Sequence, residues 1–223
     1  MEKFVVFDTN KILVSDKKDI SQYVSESIRN IYGIITDVSL DRYEDLTAKE
    51  IVSEILKENG VSEVDINERL NRYLEDLPYS YYNVAWSDKI EVKEGAKQLL
   101  ELLKKKEVKI GITTGESEKV AKMRLEKVNL EKYFSFNIGA EKGLTPSSIL
   151  DATLDVVSSE YGLDSSEGIF FSASKRFIEA AHNLNIYCIG ISNIHEKTNI
   201  LINSGANEII SSLKERPKVL KSI

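Results

Sequence analysis

Hydrophobic and polar positions along this chain follow two different periods. Unbroken apolar runs rich in β-branched and aromatic residues occupy positions 4–7, 108–113, 134–138, 168–171 and 186–191, with a weaker one at 208–210. Short runs without alternation are what strands buried on both faces require. Between the later runs, apolar positions recur every three or four residues over 96–105, 119–128, 147–161 and 177–184, as in Leu99, Leu100, Leu102 and Leu103. Strands that alternate with helices predict βαβ units and a mostly parallel sheet.

The stretch between the first two runs is helical in its spacing. Segments 20–32, 47–59 and 65–77 each carry one apolar stripe, and Gly33 and Gly60 stand where the first two should stop. Thr47-Ala48-Lys49-Glu50 reads as a capping box opening the second of them. The pattern predicts a helical lobe over 15–86, inserted into a core built from 1–14 and 87–223. The aromatic cluster Tyr79, Tyr81, Tyr82 and Trp86 follows the third helix, as the floor of a cleft or as ordinary packing between lobes. Positions 216–223 form a poorly specified end.

Composition narrows the function classes. With 42% hydrophobic and 30% charged residues in 223, the chain can bury a full core. A net charge of -6 and a pI near 5.2 argue against a nucleic-acid surface, and Lys104-Lys105-Lys106 reads as a solvated helix end. The single Cys188 excludes an internal disulfide; its apolar neighbours make it a buried strand thiol, which suits a reducing compartment. No apolar run is long enough to span a bilayer, and Met1-Glu2-Lys3 leads straight into a strand, so the expected location is the cytoplasm. Oligomeric state is not readable.

Four points can carry chemistry. Asp8 falls at the carboxyl end of the first run, where open α/β sheets hold their ligands. Thr114 and Gly115 end the second run at a strand-to-helix turn, where a hydroxyl and unpaired backbone N–H groups favour an anion. Lys142 lies in the loop before a helix that starts near Pro146, and Ser172 opens Ser172-Ala173-Ser174-Lys175-Arg176-Phe177 after the fourth run. Each has a plainer reading as a turn, cap or solvated loop residue. Their joint order favours a site. Lys175 and Arg176 read as solvated helix-start side chains, and His182 and His195 lack metal-ligand spacing.

Positions 4–16, FVVFDTNKILVSD, resemble hhhhDxDGTLxDS, the first motif of the haloacid dehalogenase superfamily of hydrolases, in particular the phosphoglycolate phosphatase-like branch with a helical cap. Positions 109–115 resemble its second motif. Lys142 matches the third-motif lysine, with Lys-Pro-x-Pro-Asp loosened to Lys142-Gly143-Leu144-Thr145-Pro146, and positions 172–177 align with the fourth, Gly-Asp-x-x-x-Asp. Positions 203–210 are similar to the closing Gly-Ala-Asp-x-Val-Ile. The resemblance implies a Rossmann-like α/β core with a parallel sheet and a small inserted helical cap. It implies Asp8 as nucleophile, with Asn10 at the general acid/base position and Lys142 catalytic. Thr114, Gly115, Lys142 and Ser172 would hold the phosphate of a small phosphorylated or anionic molecule.

The departures matter as much. Asn10 cannot supply a proton, and loss of a positioned general acid costs about 10²- to 10⁴-fold in rate. Ala173 and Phe177 replace both metal-supporting acids, so Asp8 is the one anionic ligand left for Mg²⁺, and the expectation is weak binding at best and no cofactor. Metal and acids leave together, so Asp8 and Lys142 sum to zero charge and an anion can still bind. Three readings follow: a phosphatase-like hydrolase with weakened or no magnesium dependence, an inactive descendant that binds a phosphorylated metabolite or a partner, and a metal-independent hydrolase of the dehalogenase kind. Ser172-Ala173-Ser174 echoes the Ser-Ser-Asn of the last.

Overall fold

A computed structural model describes residues 3–9, 12–16, 21–43, 45–215 and 217–222. Its strands are β1 (Phe4–Phe7), β2 (Val14–Asp16), β3 (Ile90–Val92), β4 (Lys109–Thr113), β5 (Phe136–Ile138), β6 (Gly168–Ser172), β7 (Tyr187–Ile191) and β8 (Glu208–Ile210). Six form one sheet in the order β5-β4-β1-β6-β7-β8, and every pairing in it is parallel. All six carboxyl ends therefore share one edge. This is the Rossmann-like α/β core that the alternating pattern predicts.

The unbroken apolar strands have the physical cause expected of them. Phe4 and Val6 point into one core layer, with Ile149, Leu150 and Val157 of α6 (Pro146–Tyr161) and Ile178 and Ala181 of α7 (Lys175–Asn183). Val5 and Phe7 point into the opposite layer, with Leu99, Leu100 and Leu103 of α4 (Ala96–Lys105). Phe7 stacks on Phe171 at 4.7 Å between ring centroids. Each such ring taken from water contributes about 1.5–3 kcal/mol. Gly111 is needed here, because a Cβ would lie 2.0 Å from the Phe136 ring. Leu220, within the 3₁₀ turn Lys218–Ser222, is buried in the same layer as Phe7, so the chain end is better specified than its sequence suggests.

Between β2 and β3 lie α1 (Gln22–Tyr32), α2 (Ala48–Glu58) and α3 (Glu63–Ala85). They bury a separate apolar cluster that includes Tyr23, Ile28, Val52, Leu56, Ile66, Tyr73, Leu77 and Tyr81. Gly33 ends α1 at φ 73°, and Thr47 and Glu50 form the predicted capping box on α2. Two features escaped the sequence pattern. The helix expected to stop at position 77 runs through Pro78 to Ala85. A mid-helix proline costs about 3 kcal/mol, but Tyr73, Leu77, Tyr81 and Ala85 form one buried stripe across it, which offsets that cost. The antiparallel pair β2–β3, with Ser15 opposite Glu91, ties together the two ends of the helical insert.

Tyr79, Tyr81 and Tyr82 belong to α3 and Trp86 is its C-cap: Tyr81 is buried edge-on to Tyr23, whereas Tyr82 stacks on Trp86 at the surface. Among the described residues no helix is long and apolar enough to cross a membrane.

Candidate active site at the carboxyl edge of the sheet

β4, β1 and β6 are adjacent, so the residues that follow them meet at the centre of the edge. Asp8 N donates to Phe171 O at 2.9 Å, extending the ladder one residue beyond β1 and leaving the carboxylate only 5% exposed. Ser172 Oγ donates to Asp8 Oδ2 at 3.2 Å and accepts from Ser174 N at 3.0 Å. The amide thus fixes the hydroxyl, and the hydroxyl fixes one carboxylate oxygen.

Thr114 is fully buried. Its Oγ1 accepts from Thr9 Oγ1 at 3.0 Å and from Glu116 N at 3.2 Å, while its amide donates to Ile138 O. A hydroxyl has two acceptor sites and one proton. With both acceptor sites used, the Thr114 proton is what remains for a third partner. Gly115 O accepts from Ala48 N at 2.7 Å, and a Cβ on Gly115 would lie 3.3 Å from the Phe177 ring and from Thr47 Cα.

Lys142 closes a 3₁₀ turn after β5, on the same edge, with its amide donating to Gly139 O. Its side chain is exposed and joins neither Asp8 nor Thr114 among the described residues. Its charge is felt by Glu118, whose carboxyl burial and Glu141 raise and which Lys142 opposes. Asn10 and Lys11 lie outside the described residues.

The fourth-motif segment departs from its sequence reading at one point. Ser174 caps α7 by accepting from Phe177 N, and Lys175 is solvated beside Glu179 as expected. Arg176 is not a solvated side chain. Its Nη1 and Nη2 donate to Glu50 Oε2 and Oε1 at 2.7 and 2.6 Å, and Nη1 also reaches Asp45 O. The insert supplies a carboxylate whose position no local pattern could reveal. Burial would raise the Glu50 carboxyl, but hydrogen bonds from Arg176 and Thr47 N, with the Arg176 charge, hold it below the ordinary carboxylate value.

Phe177, where a metal-supporting acid aligns, is 4% exposed and packs on Phe170 at 6.0 Å. Ala173 offers only a methyl. A hard divalent cation needs oxygen ligands, and this donor set, with Asp8 its one carboxylate among the described residues, does not fit Mg²⁺.

A second charged cluster centres on Arg124. Arg124, on α5 (Glu118–Lys127), is 3% exposed and pairs with Asp16 Oδ2 at 2.5 Å and Glu116 Oε2 at 2.8 Å. Burial raises the Glu116 carboxyl, Asp16 adds to that, and Arg124 opposes it. Tyr23 and Tyr81 of the insert face the cluster, and Arg124 Nε and Tyr81 Oη are buried with no hydrogen-bond partner among the described residues. The signal was present in the sequence: Arg124 shares a helix face with Val120, Ala121 and Leu125, a charge where the period calls for an apolar residue.

No curated protein matches the chain significantly. Among solved structures, it is similar to a predicted phosphatase from Clostridium acetobutylicum, 20% identical over the whole of both chains with a TM-score of 0.72. A predicted phosphoglycolate phosphatase from Haemophilus somnus 129pt is 16% identical over 99% of this chain and 97% of that one, TM-score 0.69. A β-phosphoglucomutase from Clostridium difficile is 18% identical over 100% and 96%, TM-score 0.65. At these identities the likeness is one of fold. The sequence pattern of haloacid dehalogenase-like hydrolases matches residues 5–191, from the strand before Asp8 past the loops of Thr114, Lys142 and Ser172. By that match the chain belongs to the haloacid dehalogenase-like hydrolase family.

Proposed function

We propose that the chain is a phosphatase-like hydrolase of small phosphorylated metabolites, with Asp8 as nucleophile and little or no use of magnesium. The observation that carries this reading is the Asp8 carboxylate, held by Ser172 beside a Thr114 hydroxyl with a proton to donate. The phosphatase descriptions of its structural neighbours support the substrate class.

In this reading an Asp8 oxygen attacks phosphorus and the bond from phosphorus to the ester oxygen breaks. The departing alkoxide takes its proton from water, since Asn10 has none to give. Water then hydrolyses the aspartyl phosphate and releases inorganic phosphate. The Thr114 proton, the Gly115 turn and Lys142, brought inward on its flexible stem, hold the phosphoryl oxygens. The insert, residues 15–86, serves as a cap that shields this chemistry from bulk water.

Acid quench during turnover, followed by mass spectrometry of the peptide carrying Asp8, tests the nucleophile. A phosphorylated Asp8 is expected, and phosphate on another residue would overturn the assignment. One observation favours a second reading, a phosphate-binding protein without turnover: the Phe177 ring fills a position that in the family helps catalysis. Binding of inorganic phosphate with no aspartyl phosphate would select it.

A further inference from the structure

One turn of the insert, residues 47–50, is gripped by the segments that follow three different core strands. After β4, Gly115 O accepts from Ala48 N at 2.7 Å. After β5, Leu144 O accepts from Thr47 Oγ1 at 2.6 Å and Glu141 O from Lys49 Nζ at 3.2 Å. After β6, Arg176 holds both carboxylate oxygens of Glu50 and the carbonyl of Asp45, a residue in the left-handed region at φ 73°. These segments follow the strand ends at which Thr114, Lys142 and Ser172 lie, so the turn sits on the rim of the Asp8 site.

Glu50 has two tasks. Its Oε2 accepts from Thr47 N at 2.9 Å, completing the cap of α2, and also from Arg176. The ion pair is therefore coupled to the first turn of α2. The Arg124 cluster is more enclosed: the Arg124 side chain is 3% exposed and those of Asp16 and Glu116 9% and 13%, so parting them would leave the guanidinium stranded away from water. The Arg176 and Glu50 side chains are 32% and 17% exposed, so water can replace each partner.

We propose that the Arg176–Glu50 pair is a releasable clasp that holds the insert shut over the Asp8 site, while the Arg124 cluster with the β2–β3 pair is the fixed end about which it opens. The segment that aligns with the metal-holding fourth motif has thus become a fastening for the insert. This goes beyond the proposed hydrolysis and does not need Asp8 to turn over.

Opening at the clasp breaks the bond from Ala48 N to Gly115 O, so native-state hydrogen exchange at the Ala48 amide reads it directly. Glu50→Gln keeps an acceptor for Thr47 N, and Arg176→Gln keeps polarity. Each is expected to speed Ala48 exchange by about two- to fivefold, the double variant no more than either alone, with β1 and β6 amides unchanged. Exchanging the charges, Glu50→Arg with Arg176→Glu, should slow it again. In the unaltered protein, added salt should speed Ala48 exchange but leave the double variant unaffected, an arm that needs no single variant to fold. Unchanged Ala48 exchange, additive effects of the two substitutions, or an equal rise throughout β1 and β6 would overturn the clasp.

Discussion

Ser172 Oγ and Asp8 Oδ2 are 3.2 Å apart, and the serine is held in that position by the amide of Ser174. A buried hydroxyl between an amide and a carboxylate is a structural tie as well as a positioning device. Ser172→Ala leaves the Ser174 amide without its partner and removes the hydroxyl that donates to Asp8 Oδ2. It is expected to cost about 0.5–1.5 kcal/mol in urea unfolding and to lower kcat for a phosphate ester more than it raises KM. A raised KM with unchanged kcat would mean that Ser172 acts on binding alone.

The Arg124 cluster makes a sharper stability prediction. Arg124→Met leaves Asp16 and Glu116 buried without their cation, and breaking a buried pair in this way costs about 3–5 kcal/mol. Burial already raises the Glu116 carboxyl and Arg124 opposes it; without Arg124 it rises further, so in the variant Glu116 binds a proton more readily folded than unfolded. The penalty should be largest near neutral pH and shrink as pH falls. Urea midpoints of both proteins across pH check this; a penalty that grows on acidification would contradict it.

Glu50 gives the opposite sign. Its carboxyl is held low in the folded protein by Arg176 and Thr47 N acting against burial, so the clasp contributes stability above the unfolded carboxylate value of about 4.3. That contribution is lost as pH falls through the depressed folded value. The melting-temperature gap between the unaltered protein and Glu50→Gln should close in that acid window. A gap that persists below it would show that the amide fails for another reason.

Phe177 resists conversion back to an acid. It is buried against Phe170 and beside Gly115 and Thr47, so Phe177→Ala should cost about 3–5 kcal/mol, and Phe177→Asp more. Millimolar Mg²⁺ should leave the melting temperature of the unaltered protein where it is, since a ligand that bound the native state would raise it. A clear magnesium-dependent rise, lost in Asp8→Asn, would mean that oxygen donors gather around Asp8 in a way the fourth-motif residues do not suggest.

The sheet was legible because strands buried on both faces have a composition of their own, and the cap of α2 because Thr47 and Glu50 satisfy a local rule. Asp8, Thr114, Lys142 and Ser172 could be placed on one edge because each follows a parallel strand. What could not be read depends on pairing between distant segments. β2 and β3 are three residues each, too short to show a period, and α3 continues past Pro78 because of burial that only the packed insert provides. The partner of Arg176 is 126 residues away, and that of Arg124 in β2 is 108. Both tie the core to segments outside its main sheet, which a reading along the chain treats separately.

In the proposed reaction Asp8 attacks phosphorus with little help from a metal. Hydrolysis of a small aryl phosphate by the unaltered protein, with Mg²⁺ and with a chelator, beside Asp8→Asn, tests it most directly. The expected result is slow turnover, equal within error in magnesium and chelator and abolished in Asp8→Asn. Turnover that survives Asp8→Asn, or that vanishes in chelator and returns with Mg²⁺, would contradict it.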